Sequence, residues 1–239
     1  MDANKDTSES THIIYLSGAG LDSAIWDDVR AKVTTPGAAI AHSRESTTTL
    51  SSAVQDVLAQ IQKLNASRYV IVAHSLSGVI GVELARALGD KLGGFVAVTA
   101  TIPALGGSFT SALPFPQNLL MPLLLKIVGT RPPVAAIRSG LCSDLNDQQA
   151  AVIADAFAPE PRSLYVDKTS TSQLPASKYL YVRTLDDKEI PASRQATMAK
   201  RLPGESVVGI PGGHMVMISH SDELATIINQ FISTLNPEQ

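Results

Sequence analysis

Tyr69-Val70-Ile71-Val72-Ala73-His74-Ser75-Leu76-Ser77-Gly78 decides how this chain is to be read. Five apolar residues, mostly β-branched or aromatic, run without alternation into a short polar turn. Such a run predicts a strand buried on both faces, as in a parallel sheet. Residues 76–88 then read as a helix closed by Gly89. The segment is strand, sharp turn and helix, with a serine at the corner.

The same rhythm extends outward. On the N-terminal side, 12–16 is an apolar run stopped by Ser17-Gly18-Ala19-Gly20. Residues 22–32 predict a helix and 38–41 a strand. In 50–64, Leu50, Val54, Val57, Leu58, Ile61 and Leu64 recur at helical spacing. On the C-terminal side, 94–100, 179–184 and 206–210 read as strands, with helices near 193–201 and over 222–235. Between them, 101–173 offers no strand and is rich in Pro, Leu and Ala, with helices predicted over 119–128 and 147–158. Strands alternating with helices predict an α/β fold: a mainly parallel sheet of about six strands, helices on both faces. A connection as long as 102–175 is out of proportion within such a sheet and reads as an inserted helical cap. The domain reading is a disordered tail over 1–10 and a single domain over 11–239.

Composition narrows the function classes. The chain has 239 residues, 44 % of them hydrophobic and 17 % charged, and a net charge of −3. It has enough apolar material for a core and no basic excess for a nucleic-acid backbone. Cys142 is the single cysteine, so an intrachain disulfide is impossible and a cytoplasmic, reducing location is the expectation. The greasiest stretch, 113–128, is broken by Pro114, Pro116 and Pro122 and carries Lys126, so no membrane span is expected. Neither H-E-x-x-H, nor a Cys/His cluster, nor a phosphate-binding G-x-x-x-x-G-K-[ST] loop occurs, so neither metal nor cofactor is expected.

In open parallel sheets, ligands bind outside the carboxyl ends of the strands. The turn at Ser75 lies at such an end and resembles the nucleophile elbow G-x-S-x-G, with Ala73 and Ser77 where glycines are usual. Both residues are small, as the tight turn requires. A serine hydroxyl needs a base. Of the five histidines, His12 and His42 lie early at strand ends, and His74 leaves the turn on the side opposite Ser75. His220 falls on the last helix, as surface or packing. His214, in Pro211-Gly212-Gly213-His214-Met215, sits on a flexible loop after the last strand and is the candidate base. The orienting acid should end the preceding strand. Asp187, four residues before Pro191, fits that place, with Asp186 as the alternative. Donors for an oxyanion are assigned to the backbone N–H groups of Leu76 and Ala19. Ser77 is the rival nucleophile. The apolar stretch between Leu113 and Ile127 is expected to supply an acyl pocket, with Leu123, Ile127 and Met215 as substrate-binding residues.

These segments resemble the α/β-hydrolase superfamily, and within it the group of plant methylesterases and hydroxynitrile lyases with their bacterial relatives. The resemblance rests on Ser17-Gly18-Ala19 with Trp26 downstream, the elbow at Ser75, Thr184 to Asp187 with Pro191, and His214 to Ile218. It implies a cofactor-free serine hydrolase in which Ser75, His214 and Asp187 are the triad and Ala19 and Leu76 the oxyanion hole. A small, largely apolar ester is the implied substrate, cleaved through an acyl-enzyme. Hydroxynitrile lyases of the group carry a lysine after the histidine, where this chain has Met215, which aligns it with the esterase branch. Three other readings stand beside it. One is a lyase, and another a receptor using the same pocket. The third is an NADP-dependent reductase, for which Gly18-Ala19-Gly20 would be the dinucleotide turn and Arg44 the 2′-phosphate partner. A small-molecule ester is the expected partner, and a homodimer is left open.

Overall fold

Along each strand, successive residues enter two different cores. Ile13, Tyr15, Val70, Val72, Val96, Val98 and Val182 pack on one face with Trp26, Val29 and Leu224 to Ile232. Ile14, Leu16, Ile71, Ala73, Phe95, Ala97 and Tyr181 pack on the other with Leu50 to Ile61, Val79 to Leu88, and Met198. With both faces covered, neither can be polar, and the sequence therefore shows unbroken apolar runs.

The computed structural model describes residues 10–204 and 206–235. The tail expected over 1–10 lies, apart from Ser10, outside the described residues. Six strands form one sheet: β1 (Thr11–Leu16), β2 (Gly37–Ala39), β3 (Arg68–His74), β4 (Leu92–Val98), β5 (Lys178–Thr184) and β6 (Val207–Ile210). Their order is β2-β1-β3-β4-β5-β6, and every pairing is parallel. β1 and β3 lie side by side although β2 intervenes in sequence. The crevice beyond their carboxyl ends is thus the switch point where such sheets bind ligands.

One face carries the helices Leu50–Ile61, Ser77–Leu88 and Ala192–Ala199, and the other carries Ser221–Leu235. Thr49 starts the first of these by a capping box with Ser52. The helix expected over 22–32 is shorter and tighter. Asp22 Oδ1 accepts from the Ala24 N–H at 2.8 Å, which caps a 3-10 turn, Ser23–Trp26, before a single α-turn, Asp27–Arg30. The strand expected over 38–41 is the three-residue edge strand β2. Between β4 and β5, no strand interrupts the described residues. The helices Gln117–Val128 and Asp147–Ala156 lie there with a π-type turn, Ile137–Leu141, and this segment roofs the switch-point crevice.

Candidate active site

The turn after β3 is forced. Ser75 has φ +53°, the left-handed region that L-residues avoid. Its neighbours leave no alternative. A Cβ on Gly18 would stand 2.8 Å from Ser75 Cβ, and one on Gly78 would stand 2.5 Å from the Thr101 carbonyl oxygen. The Thr101 N–H donates to the Ser75 carbonyl at 2.9 Å, which holds the corner from below. Ser77, at the position where glycine is usual, is buried. Its hydroxyl lies 2.8 Å from the carbonyls of both Leu16 and His74 and accepts from the His74 N–H at 3.0 Å. That hydroxyl ties the end of β1 to the elbow, whereas Ser75 lines the cavity.

His214 comes from the loop after β6. It is 1 % exposed, and its Nδ1 stands 2.8 Å from Asp187 Oδ2. Asp187 is buried in a shell of donors. Its Oδ2 accepts from Thr99 Oγ1 at 2.6 Å and Thr184 Oγ1 at 3.0 Å, and its Oδ1 from the N–H groups of Glu189 at 2.8 Å and Ile190 at 2.9 Å. Burial alone would raise its pKa. The charge and hydrogen bond of His214, with the other donors, outweigh burial and hold the carboxyl well below its usual range. The effect on the imidazole is reciprocal. Burial disfavours its cation, but the Asp187 carboxylate overcomes that and raises the His214 pKa above 6.5. Asp186 is exposed and contributes only its backbone N–H, to the Gly212 carbonyl at 2.9 Å.

Among the described residues, the N–H groups of Ala19 and Leu76 have no acceptor, and both residues line the same cavity as Ser75 and His214. Two N–H groups without acceptors that line one cavity with a serine have the chemistry to receive an oxyanion. The Ala19 loop is itself pinned. The Gly20 N–H donates at 3.0 Å to the buried carboxylate of Glu160, which also accepts from Arg44 Nε at 2.9 Å and lies 3.0 Å from His42 Nε2. Arg44 is therefore engaged with Glu160. A carboxylate already occupies the Gly20 N–H that a dinucleotide pyrophosphate would seek in this turn.

The cavity measures about 410 Å³ and is mostly apolar. From the Gln117–Val128 helix it takes Gln117, Met121 and Leu125, and Leu113 precedes them. Leu123 and Ile127 do not line it: they are 57 % and 74 % exposed, on the outer side of the helix. Residues two apart on a helix diverge by roughly 200°, so the 121/125 stripe excludes 123 and 127. Met215 is fully buried in the core below and does not reach the cavity either. The expected substrate-binding set is corrected accordingly.

Four positioning residues have no signature in the sequence. Thr99 follows β4 at φ +39°, strained for a β-branched residue, and delivers its hydroxyl to Asp187. His74 is fully buried, with Nε2 3.0 Å from the His214 carbonyl, so Nε2 carries the hydrogen and the ring braces the histidine loop. Burial, followed by the neighbouring His214, lowers the His74 pKa far below 6.5 and keeps it neutral. Asp144, from the roof, holds the same loop through the Gly213 N–H at 3.1 Å and Ser219 Oγ at 2.6 Å. The fourth is Glu160. Each becomes visible only when segments far apart in sequence meet.

A buried Asp–His pair, a serine on a strained strand-to-helix turn and two free N–H groups over a parallel sheet define a hydrolase-type site. The chain belongs to the alpha/beta hydrolase family, whose model matches residues 13–227. A pyrethroid hydrolase of Sphingobium wenxiniae is 28 % identical over 195 residues, 74 % of this chain and 67 % of that protein. Among solved structures, an extracellular alpha/beta-hydrolase from a Paenibacillus species superposes with a TM-score of 0.79 at 17 % identity, over 92 % of this chain and 98 % of that one. That protein is described as sharing structural and functional homology with tobacco Salicylic Acid Binding Protein 2. Polyneuridine aldehyde esterase superposes with a TM-score of 0.74 at 14 % identity, over 93 % and 99 % of the two chains. The fold implied by the sequence resemblance is thus the fold found. Among the described residues no helix is long and apolar enough to cross a membrane.

Proposed function

We propose that this protein is a serine carboxylic ester hydrolase acting on a small, largely apolar ester through an acyl-enzyme. The observation that carries the reading is the 2.8 Å contact between His214 Nδ1 and Asp187 Oδ2 at the edge of the cavity that also holds Ser75 and the free N–H groups. Asp187 keeps the Nδ1–H tautomer, which leaves Nε2 as the base. Ser75 Oγ attacks the ester carbonyl carbon while His214 Nε2 takes its proton. The carbonyl oxygen gains the negative charge and is met by the Ala19 and Leu76 N–H groups. The tetrahedral intermediate collapses, the C–O bond to the alcohol breaks, and His214 returns the proton to the leaving oxygen. A water molecule then repeats the sequence on the acyl-enzyme and releases the acid. The kinship with a named pyrethroid hydrolase supports ester chemistry.

The apolar lining supports a small hydrophobic acyl or alcohol group. Cyanohydrin cleavage is the second reading, and the burial of Met215 speaks against it, because the loop offers a departing cyanide no cation there. The test is p-nitrophenyl ester turnover by the wild type and by Ser75→Ala, with cyanide release from mandelonitrile measured alongside. Ester turnover reduced by several orders of magnitude in Ser75→Ala is the expected result. Wild-type ester turnover no higher than that of Ser75→Ala would favour a receptor. Ser75-dependent cyanide release well above ester turnover would favour the lyase.

A further inference from the structure

The helix Gln117–Val128 is apolar on both sides. Met121 and Leu125 face the cavity. On the outer side, Leu119, Leu120, Leu123, Leu124, Ile127 and Val128 stand 50–74 % exposed. At roughly 100° per residue these six span half of the helix circumference, with Gln117 the one polar side chain inside that arc and Lys126 at its edge. Phe115, 79 % exposed, extends the patch at its N-terminal end. Monomeric proteins rarely expose a contiguous apolar patch above a few hundred Å². These side chains present roughly 800 Å², the area each partner contributes to a standard-size protein interface.

The pattern within the patch is regular. Leu119, Leu123 and Ile127 form one row at i, i+4 spacing, and Leu120, Leu124 and Val128 form the next. Two such rows make two ridges with a groove between them, into which a ridge of another helix fits. A two-fold axis places the same ridge on the opposite side, so the surface complements itself. The helix is tied to a later part of the same inserted segment, because Arg162 Nη2 donates to the Pro122 carbonyl at 3.2 Å.

A lipid surface fits this helix less well. A helix lying on a membrane opposes its apolar face with a charged one. Here the opposite side carries Asn118, Met121, Pro122 and Leu125, uncharged and turned toward the protein, and Lys126 is the one charged residue of the helix. The net charge of −3 gives no general attraction to an anionic leaflet. We propose that the outer face of Gln117–Val128 is the two-fold interface of a homodimer, with each copy's leucine ridges seated in the other's groove and Lys126 on the rim. In that dimer the roof of each cavity is backed by the partner copy.

Analytical ultracentrifugation of the full chain at about 1–50 µM tests this, with Leu120→Glu, Ile127→Glu and a control, Val152→Glu, that lies on the helix Asp147–Ala156. The expected result is twice the 25.2 kDa chain mass for the wild type and for Val152→Glu. Each ridge variant should weaken the dimer at least about thirtyfold, as loss of a central contact does. Should the ridge variants fail to fold, Leu124→Cys replaces them. It should give a disulfide-linked dimer under mild oxidation, and Val152→Cys should not. A wild type that stays monomeric at 50 µM overturns the proposal, and its flotation with neutral or anionic phosphatidylcholine-based vesicles would assign the patch to lipid instead. A dimer as tight in both ridge variants as in the wild type, or no cross-link through Leu124→Cys, also overturns it.

Discussion

Asp187→Asn changes one atom and should remove nearly all activity while leaving the fold in place. Asp187 Oδ1 accepts two backbone N–H groups, at 2.8 and 2.9 Å. Those donors cannot turn away, so the asparagine oxygen must face them and its NH₂ must take the place of Oδ2. That NH₂ then points at His214 Nδ1, 2.8 Å away in the wild type. Two N–H groups cannot face each other, so His214 must carry its proton on Nε2 and accept from the asparagine through Nδ1. A base protonated on Nε2 cannot take the Ser75 proton. The same substitution in serine proteases lowers kcat by about 10⁴, which is roughly 5.4 kcal/mol at 1.36 kcal/mol per decade. The fold loses far less, because the hydroxyls of Thr99 and Thr184 can rotate to keep partners. About 1–3 kcal/mol is the expected cost in chemical denaturation. The assay is steady-state hydrolysis of a p-nitrophenyl ester, read beside Asp186→Asn, whose exposed side chain should matter by no more than a few-fold. An Asp187→Asn enzyme above a tenth of wild-type activity, or an Asp186→Asn loss as deep, would refute this assignment.

Further outcomes follow from the same geometry. The kcat/KM for an ester should rise with pH through the His214 titration, since only the neutral imidazole accepts a proton. Asp187 raises that pKa, so the acid limb should lie above 6.5, and the residual activity of Asp187→Asn should titrate at lower pH; a limb well below 6.5 in the wild type would contradict this. Ser77→Ala should cost about 1–3 kcal/mol in urea unfolding, because it strands the Leu16 carbonyl and the His74 N–H, yet retain ester turnover within about tenfold. Abolished activity with unchanged stability would make Ser77 the nucleophile instead. Met121→Trp and Leu125→Trp should shift preference toward shorter acyl esters by filling the cavity, while Leu123→Trp, on the outer face, should not. Equal chain-length profiles for all three would remove the roof helix from substrate selection.

The residues that sequence reading located are those whose identity is dictated locally. Val70 to Val72 had to be apolar on both faces, and a strand meeting a helix within two residues needs a small corner. The β3–Ser75–helix unit was therefore legible without partners. That Ser75, Asp187 and His214 each follow a strand was legible for the same reason, because strand ends can be read from where apolar runs stop; their proposed order of roles came from the family resemblance. Asp186 and Asp187 could not be separated by spacing alone. The structure presents one to solvent and encloses the other among Thr99, Thr184 and two backbone N–H groups; three of those donors belong to its own segment, while Thr99 and the partner His214 arrive from distant segments. The roof helix shows the limit most clearly. Its apolar residues occur on every side, and its three polar residues, Gln117, Asn118 and Lys126, are scattered rather than aligned in a stripe, so Leu123 and Ile127 are as eligible by sequence as Met121 and Leu125. Only the docking of that helix on the sheet chose between them. Glu160 and Asp144 were silent for a related reason. A lone carboxylate has no periodicity, and each acquires its role only where the fold brings the Gly20 N–H or the Gly213 N–H, 140 and 69 residues away, within hydrogen-bonding distance.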